Sequence, residues 1–493
     1  MNTFTFTSKA KLNLFIIMIV GLALIGLGAL THGGGGHDSH GDGHGTHGQE
    51  EHVDHAAVTL QHEDGSTDIA IEDAHAEEAH GEEAHNEMHQ EDAHHGEHHG
   101  EVEHHNDEMH GDAHHADAHG GHGEDHGHHG IVGATPITVK KIIVTNFWVI
   151  VQMLLWMSIA AMFFLAAHTA GWAGFHIMFQ KVLLGIMSIM PIAFILGAII
   201  FAVGKHDIFI WTNAEAIAAS ELMATKTAFL NTKTFVMLSV VWAAILLTLL
   251  WRWWVILSKQ DTDPDLKYFS SSRSLAAICI VLVAIINAFG VWHWIMSIQP
   301  NWYSTMYAWY TMASGAAIMI ATTILVLIYL QSKGYMPNLN KSHYHDLGKY
   351  LFAISVFWTY VWFSQYMLIW YGNIPEETVY FKELMKNYPV IFYGALILNF
   401  FLAFLILIKR DAKRNKGIMI FASVMIIIGH WFDFFNMIVP YGVNKGGMGL
   451  ISIGTLLIFA GIAGFVILSA LSRVKSLDSR EHPYYKESLK HHI

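Results

Sequence analysis

The sequence predicts an all-α polytopic membrane protein with about ten transmembrane helices. Three observations carry this. Only 14% of residues are charged and 53% are hydrophobic, whereas a soluble domain is usually about a quarter charged. Mean hydropathy is +0.35 over 493 residues, which is too apolar and too long for a single anchor on a soluble domain. Finally, ten separate apolar runs can each cross a hydrocarbon core of about 30 Å, a distance that takes about 20 helical residues.

These runs fall near 12–30, 147–170, 182–203, 235–254, 274–298, 307–330, 350–371, 390–408, 417–439 and 450–471. The first follows Lys9 and Lys11, as a signal peptide would. Its apolar stretch exceeds the usual roughly 7–15 residues, and only Gly26-Leu27-Gly28 resembles a cleavage site, so an uncleaved helix over 1–30 is expected. The third run is interrupted by Gly185, Pro191 and Gly197 and is the least regular.

The net charge of −13 conceals two different materials. Residues 31–130 contain 26 Asp or Glu, 26 of the 36 His and no Lys or Arg. The rest of the chain carries all 28 basic and only 15 acidic residues, a net of +13. The segment 31–135 is low-complexity Gly, His, Glu, Asp and Ala, with too few apolar side chains to offset chain entropy, so a disordered loop is expected. Its imidazoles and carboxylates, including the doublets His94-His95, His98-His99 and His104-His105, are suited to weak binding of zinc, nickel or copper. No regular ligand spacing defines a site there. A solvated, pH-sensitive tether is the simpler reading.

Lys/Arg bias sets the topology. With the N-terminus inside, 19 Lys or Arg fall in cytoplasmic segments and eight outside, leaving Arg252 at a helix end. This predicts cytoplasmic termini, a tail over 473–493, a nine-helix core over 136–472 and a periplasmic His-rich loop in a bacterial inner membrane. Trp251, Trp253, Trp254, Trp292, Trp294, Trp302 and Tyr303 lie near span ends and read mainly as an interfacial aromatic belt.

Cys279 is the single cysteine. An internal disulfide, an iron–sulfur cluster or a covalently attached c-type haem needs more than one. A redox centre held by this chain alone would be non-covalent.

Ionisable groups inside a bilayer are expensive and often functional. Asp433 is the only carboxylate well inside a span, in the stretch 429–436, Gly-His-Trp-Phe-Asp-Phe-Phe-Asn. His430, Asp433 and Asn436 follow at intervals of three and share a helix face. Burial disfavours a charged carboxylate and imidazole exchanges protons near neutrality, so the pair is suited to a proton path, a metal or a quinone head group. A satisfied interhelical hydrogen bond is the structural alternative. His293 lies near the outer end of the fifth run and His168 toward the inner end of the second. His206, Asp207, Glu215 and Glu221 border the third run. Gln152, Asn287, Gln365 and Asn399 read as polar glue between helices. Axial haem ligation would need paired histidines on neighbouring spans; His168 and His293 are predicted on opposite sides, which leaves His293 with His430.

Several stretches resemble the polysulfide-reductase-like (NrfD-like) membrane family, in particular the membrane subunits of bacterial alternative complex III, a quinol:cytochrome c oxidoreductase. They are HTAGW at 168–172, HDIFIW at 206–211, WIMSIQPNWYSTMYAWY at 294–310, FSQYMLIWYGNIPEET at 363–378 and HWFDFFNMIVP at 430–440. They spread over most of 136–472, and the run from Ser364 to Glu377 is the most specific. The resemblance implies ten helices, as two four-helix bundles of inverted topology with flanking first and last helices. It implies a respiratory subunit without its own haem or iron–sulfur centre, acting as proton path, scaffold or second quinone pocket. Menaquinol or another quinol would be the ligand. The implied partners are a multihaem c-type cytochrome, an iron–sulfur subunit and a homologous membrane subunit, with a terminal oxidase as a further partner. These would hold the haem c and iron–sulfur clusters. No nucleic-acid partner is expected. At His293 and Ile295 the chain departs from relatives that tend to be more acidic or Met-like, so a quinone pocket does not carry over there. Asp433 matches the family's late-helix Asp.

Two other functions compete. A divalent-metal transporter would use the His-rich loop as collector, although such transporters tend to repeat intramembrane His/Asp ligands on several spans. A catalytically silent scaffold is the third reading.

Overall fold

The computed structural model describes residues 3–33, 137–262, 266–300, 302–443 and 447–491. Almost all of the segment 31–135 lies outside these residues, and with it His94, His95, His98, His99, His104 and His105. The described residues are helical, without strands.

Ten helices are long and apolar enough to cross a membrane, so this is a multi-pass membrane protein. Numbered in chain order, they are span 1 (Ser8–His32), span 2 (Val139–Ala170), span 3 (Gln180–Ile208), span 4 (Thr232–Gln260) and span 5 (Leu266–Ile298). They continue with span 6 (Tyr307–Ser332), span 7 (Lys341–Gly372), span 8 (Pro389–Leu407), span 9 (Lys416–Tyr441) and span 10 (Leu450–Leu471). All ten predicted runs are found. Most helices extend several residues past the apolar run, because polar caps such as Asn340 and Asn415 accept the first backbone N–H groups.

The irregular third run has a physical cause. Helix Gln180–Met187 ends at Ser188, and a second segment, Met190–Ile208, starts with Pro191 in its first turn, where the missing proline N–H costs no intrahelical bond. Span 8 has its own irregularity: a π-helical stretch, Ile397–Leu402, that carries Asn399.

Spans 2–5 and 6–9 pack as two four-helix groups with matching contacts. Span 2 packs on spans 3 and 5, and span 4 on span 5. Span 6 likewise packs on spans 7 and 9, and span 8 on span 9. Span 2 also contacts spans 6, 9 and 10. It is apolar all round because it is buried all round, as a central helix must be.

Spans 1 and 10 flank the core and pack on each other. Small residues permit this. A Cβ on Gly21 would lie 2.6 Å from the Gly454 carbonyl oxygen, and one on Gly461 2.3 Å from Met18 Cγ.

Two expectations need correction. Trp253, Trp294 and Trp302 are not in an interfacial belt but buried. Trp294 donates to Ser239 and stacks on Trp148 at 5.0 Å, giving its N–H a partner inside the first group. Trp251 and Tyr303 are exposed as predicted. Nor do Gln152, Asn287, Gln365 and Asn399 bond across spans among the described residues. Gln152 accepts from Trp156 in its own helix, and both amide atoms of Asn399 are buried without a partner.

The segment after span 10 folds back over the lysine-rich helix ends. Gln180 bonds Ser479 at 2.6 Å, Ser488 bonds the Phe175 carbonyl at 3.2 Å and Asn340 bonds the His491 carbonyl at 2.8 Å. His491 also bonds Asp346.

Candidate functional site around Asp433

Asp433 sits on span 9, eight residues before the span ends at Tyr441, which is about 12 Å at 1.5 Å per residue. It is 1% exposed. The helix turns it inward because Trp431, Phe434, Phe435 and Ile438 bury the same region of span 9.

Three neutral donors hold the carboxylate. Tyr310 of span 6 donates to Oδ1. Ser314, one turn further along span 6, is 2.6 Å from Oδ2, and Trp358 Nε1 of span 7 donates to Oδ2 at 3.0 Å. An ionised carboxylate only accepts hydrogen bonds, so three donors from two facing helices fit it. Among the described residues, no Lys or Arg lies within ion-pair distance of it. A buried charge without a cation costs several kcal/mol in desolvation, which charge-assisted hydrogen bonds partly offset.

His430 stands beside it, with Nδ1 3.5 Å from Asp433 Oδ2. The predicted shared face is therefore real, but the distance is that of proximity, not of a good hydrogen bond. His430 is fully buried, and neither ring nitrogen has a partner among the described residues. Trp358 meets its ring edge-to-face at 5.5 Å. Asn436 continues the face, with Nδ2 3.5 Å from the Ile391 carbonyl of span 8.

Polar groups extend from Asp433 in both directions. Toward the end of span 9, the Tyr310 ring packs on Tyr307 at 5.6 Å, and the Tyr307 hydroxyl lies 3.4 Å from that of Tyr380. Tyr380 belongs to the connecting helix Pro375–Asn387. There burial pushes its phenol up to about 12, against the opposing hydrogen bonds with Tyr307 and Tyr441, so this hydroxyl is neutral at ordinary pH. Toward the lysine-rich side, Ser423 lies two turns from His430 and Ser355 one turn from Trp358. Ser423 Oγ, Ser355 Oγ and both amide atoms of Asn399 are buried without partners among the described residues. The π-helical turn presses Asn399 against Gly429, where a Cβ would come within 2.1 Å of Oδ1.

The other predicted residues are elsewhere. His293 is 3% exposed and packs on Phe229 at 4.4 Å and Phe235 at 6.0 Å, without a partner for either nitrogen among the described residues. Among the described residues no ring contact or hydrogen bond joins it to His430. His168 lies in the last turn of span 2, at the end opposite Lys140 and Lys141. Its Nδ1 is 2.7 Å from the Phe164 carbonyl, which can only accept, so Nε2 accepts from Tyr350 at 2.9 Å. This pair closes one end of an apolar cavity of about 270 Å³ between spans 2, 6 and 7, walled by Phe163, Phe164, Met319 and Phe357.

Tyr310, Ser314, Trp358 and Tyr380 complete the site and were not singled out by sequence. Tyr310 closes the motif at 294–310; Ser314 and Trp358 carry no comparable signal. No group of three or more His, Cys, Asp or Glu that could hold a metal occurs among the described residues.

Fold and site together define a multi-pass helical membrane protein with a carboxylate–imidazole pair, Asp433 and His430, buried within its spans. Comparison with models of known protein families and with curated proteins finds no match for the chain.

Proposed function

We propose that the chain is a membrane subunit of a respiratory quinol:cytochrome c oxidoreductase of the alternative complex III type, and that Asp433 with His430 forms a proton path. The observation that carries the path is a carboxylate 1% exposed, without a nearby cation among the described residues, with an imidazole 3.5 Å away. The neighbouring hydroxyls and the orphaned polar atoms support it. Buried polar groups are normally satisfied, by ordered water where protein supplies no partner. In this reading, water joins Ser423, Ser355 and Asn399 to His430. The imidazole exchanges its proton with Asp433, and Tyr310, Tyr307 and Tyr380 relay it toward the opposite side.

The subunit would sit in a bacterial inner membrane with cytoplasmic termini and the His-rich loop in the periplasm. The motifs at 294–310 and 363–378 support the family assignment, and the Lys/Arg bias supports the orientation. Multihaem cytochrome and iron–sulfur partners would carry the electrons.

The cavity beside His168 and Tyr350 favours a second role in the same complex, a quinol pocket. A quinol hydroxyl can donate to the Tyr350 oxygen, which keeps acceptor capacity while its proton serves His168, and the apolar walls suit an isoprenoid tail.

Purification by a tag on this chain, with a partner inventory and a reduced-minus-oxidised spectrum, tests the assignment. Recovery with a multihaem c-type cytochrome and an iron–sulfur protein is expected. A chain that purifies alone, colourless and loaded with zinc or nickel, would overturn it in favour of metal transport.

A further inference from the structure

An apolar cleft lies away from Asp433, between spans 3, 4 and 10 on the side where the tail folds back. Its volume is about 530 Å³. Buried Leu250, Val466 and Ala470 line it with half-buried Pro191 and Phe465, and the exposed Trp251 and Arg473 mark its mouth. The broken third span helps to create it, since Ser188 and Pro191 at the break line the cleft.

The mouth has the makings of a headgroup site. Arg473 is exposed, two residues after the end of span 10, and its guanidinium forms no hydrogen bond or ion pair among the described residues. Trp254 is half-buried and fixed by its bond to Ser188 at 3.0 Å, while Trp251 is 60% exposed. Tryptophan at this depth marks the headgroup level of a bilayer. An unpaired guanidinium there offers a fork of donors matched to a phosphate. Asp261 at the end of span 4 is committed to Lys181 at 2.8 Å and Asp478 of the tail to Arg480 at 3.2 Å, so neither is paired with Arg473.

We propose that this cleft is a selective site for an anionic glycerophospholipid, with its phosphate on Arg473 and one acyl chain in the groove past Pro191 and Phe465. The cleft is apolar over its depth and cationic only at its mouth, the polarity of such a lipid. Basic pockets between transmembrane helices select anionic lipids in this way. The proposal is independent of the respiratory reading.

The test uses the full chain in phosphatidylcholine nanodiscs containing a small fraction of chain-brominated phosphatidylglycerol. Bromine quenches tryptophan on contact, and W251F isolates the contribution of Trp251. Quenching of Trp251 should saturate at low phosphatidylglycerol, and brominated phosphatidylcholine in the same proportion should not reproduce it. R473Q should raise the phosphatidylglycerol required roughly tenfold or more, the loss expected for a charge-assisted hydrogen bond. R410Q, in the exposed turn between spans 8 and 9, should leave it unchanged. Equal quenching by the two lipids would overturn the proposal, as would an R410Q effect equal to that of R473Q.

Discussion

Tyr310 and Asp433, 123 residues apart in the chain, are direct hydrogen-bond partners between spans 6 and 9. Removing either should have different consequences. Asp433→Asn keeps the volume, and its amide oxygen can still accept from Ser314 and Trp358 while its NH2 donates to the Tyr310 oxygen. It cannot cycle a proton, so turnover of the assembled complex should fall roughly 10²–10⁴-fold with yield and partner content unchanged. Tyr310→Phe removes one donor to a charged group, about 1.5–3 kcal/mol, and should slow turnover roughly 10- to 100-fold. Unchanged turnover in an assembled D433N complex would end the proton-path assignment.

The tail after span 10 should loosen with acid. Burial depresses His482 to about 4, with Lys181 adding repulsion, and it depresses His176 beneath the tail to about 3. Both imidazoles are therefore held neutral. Their contribution is fully present above the ordinary pKa of about 6.5 and is lost as pH falls from there toward the depressed values. Hydrogen exchange over 473–491, corrected for the intrinsic rate, should show protection falling about tenfold per pH unit for each histidine exposed on opening. H482Q should flatten that slope. A profile independent of pH between 6.5 and 4.5 would show that tail release does not expose His482.

Much of this was legible in advance, for reasons specific to each element. All ten spans follow from apolar length, and the pairing of His430 with Asp433 follows from helical spacing alone. What stayed hidden depends on which helix faces which. Ser314 and Trp358 are unremarkable in an apolar helix until span 9 is packed against spans 6 and 7. Trp294 and Trp253 sit at span ends, where sequence places an interfacial belt, yet tertiary packing turns them inward. His168 and His293 carried the same signal as His430. Only packing showed that one is paired with Tyr350 and that the other is enclosed by phenylalanines.

The Lys181–Asp261 pair joins the start of span 3 to the end of span 4, with side chains 2% and 4% exposed. Burial raises Asp261, opposed by Lys181. Lys181 also donates to the Leu257 carbonyl at 2.8 Å. Breaking a buried pair leaves an uncompensated charge, about 3–5 kcal/mol, whereas an apolar replacement of both partners is often neutral. D261N should therefore lower the thermal midpoint in detergent markedly, and K181M/D261L should recover most of it. Equal midpoints for D261N and wild type would mean the pair contributes nothing to the fold.

The contact between spans 1 and 10 gives a prediction about glycine that position alone would not. Gly21 and Gly26 lie on the same helix and look equivalent in sequence. A Cβ on Gly21 would strike the Gly454 carbonyl oxygen at 2.6 Å, and that atom belongs to backbone and cannot rotate aside, whereas one on Gly26 meets nothing within 4 Å. Transmembrane helices gain little from burying apolar surface against each other, because lipid is equally apolar, so close backbone approach supplies most of the attraction. G21L should force the helices apart and destabilise the flank by about 1–3 kcal/mol or more, read as a lower temperature for loss of monodisperse protein in detergent. G26L should change nothing, because its side chain replaces lipid. If both variants behave alike, small-residue packing does not hold span 1 in place.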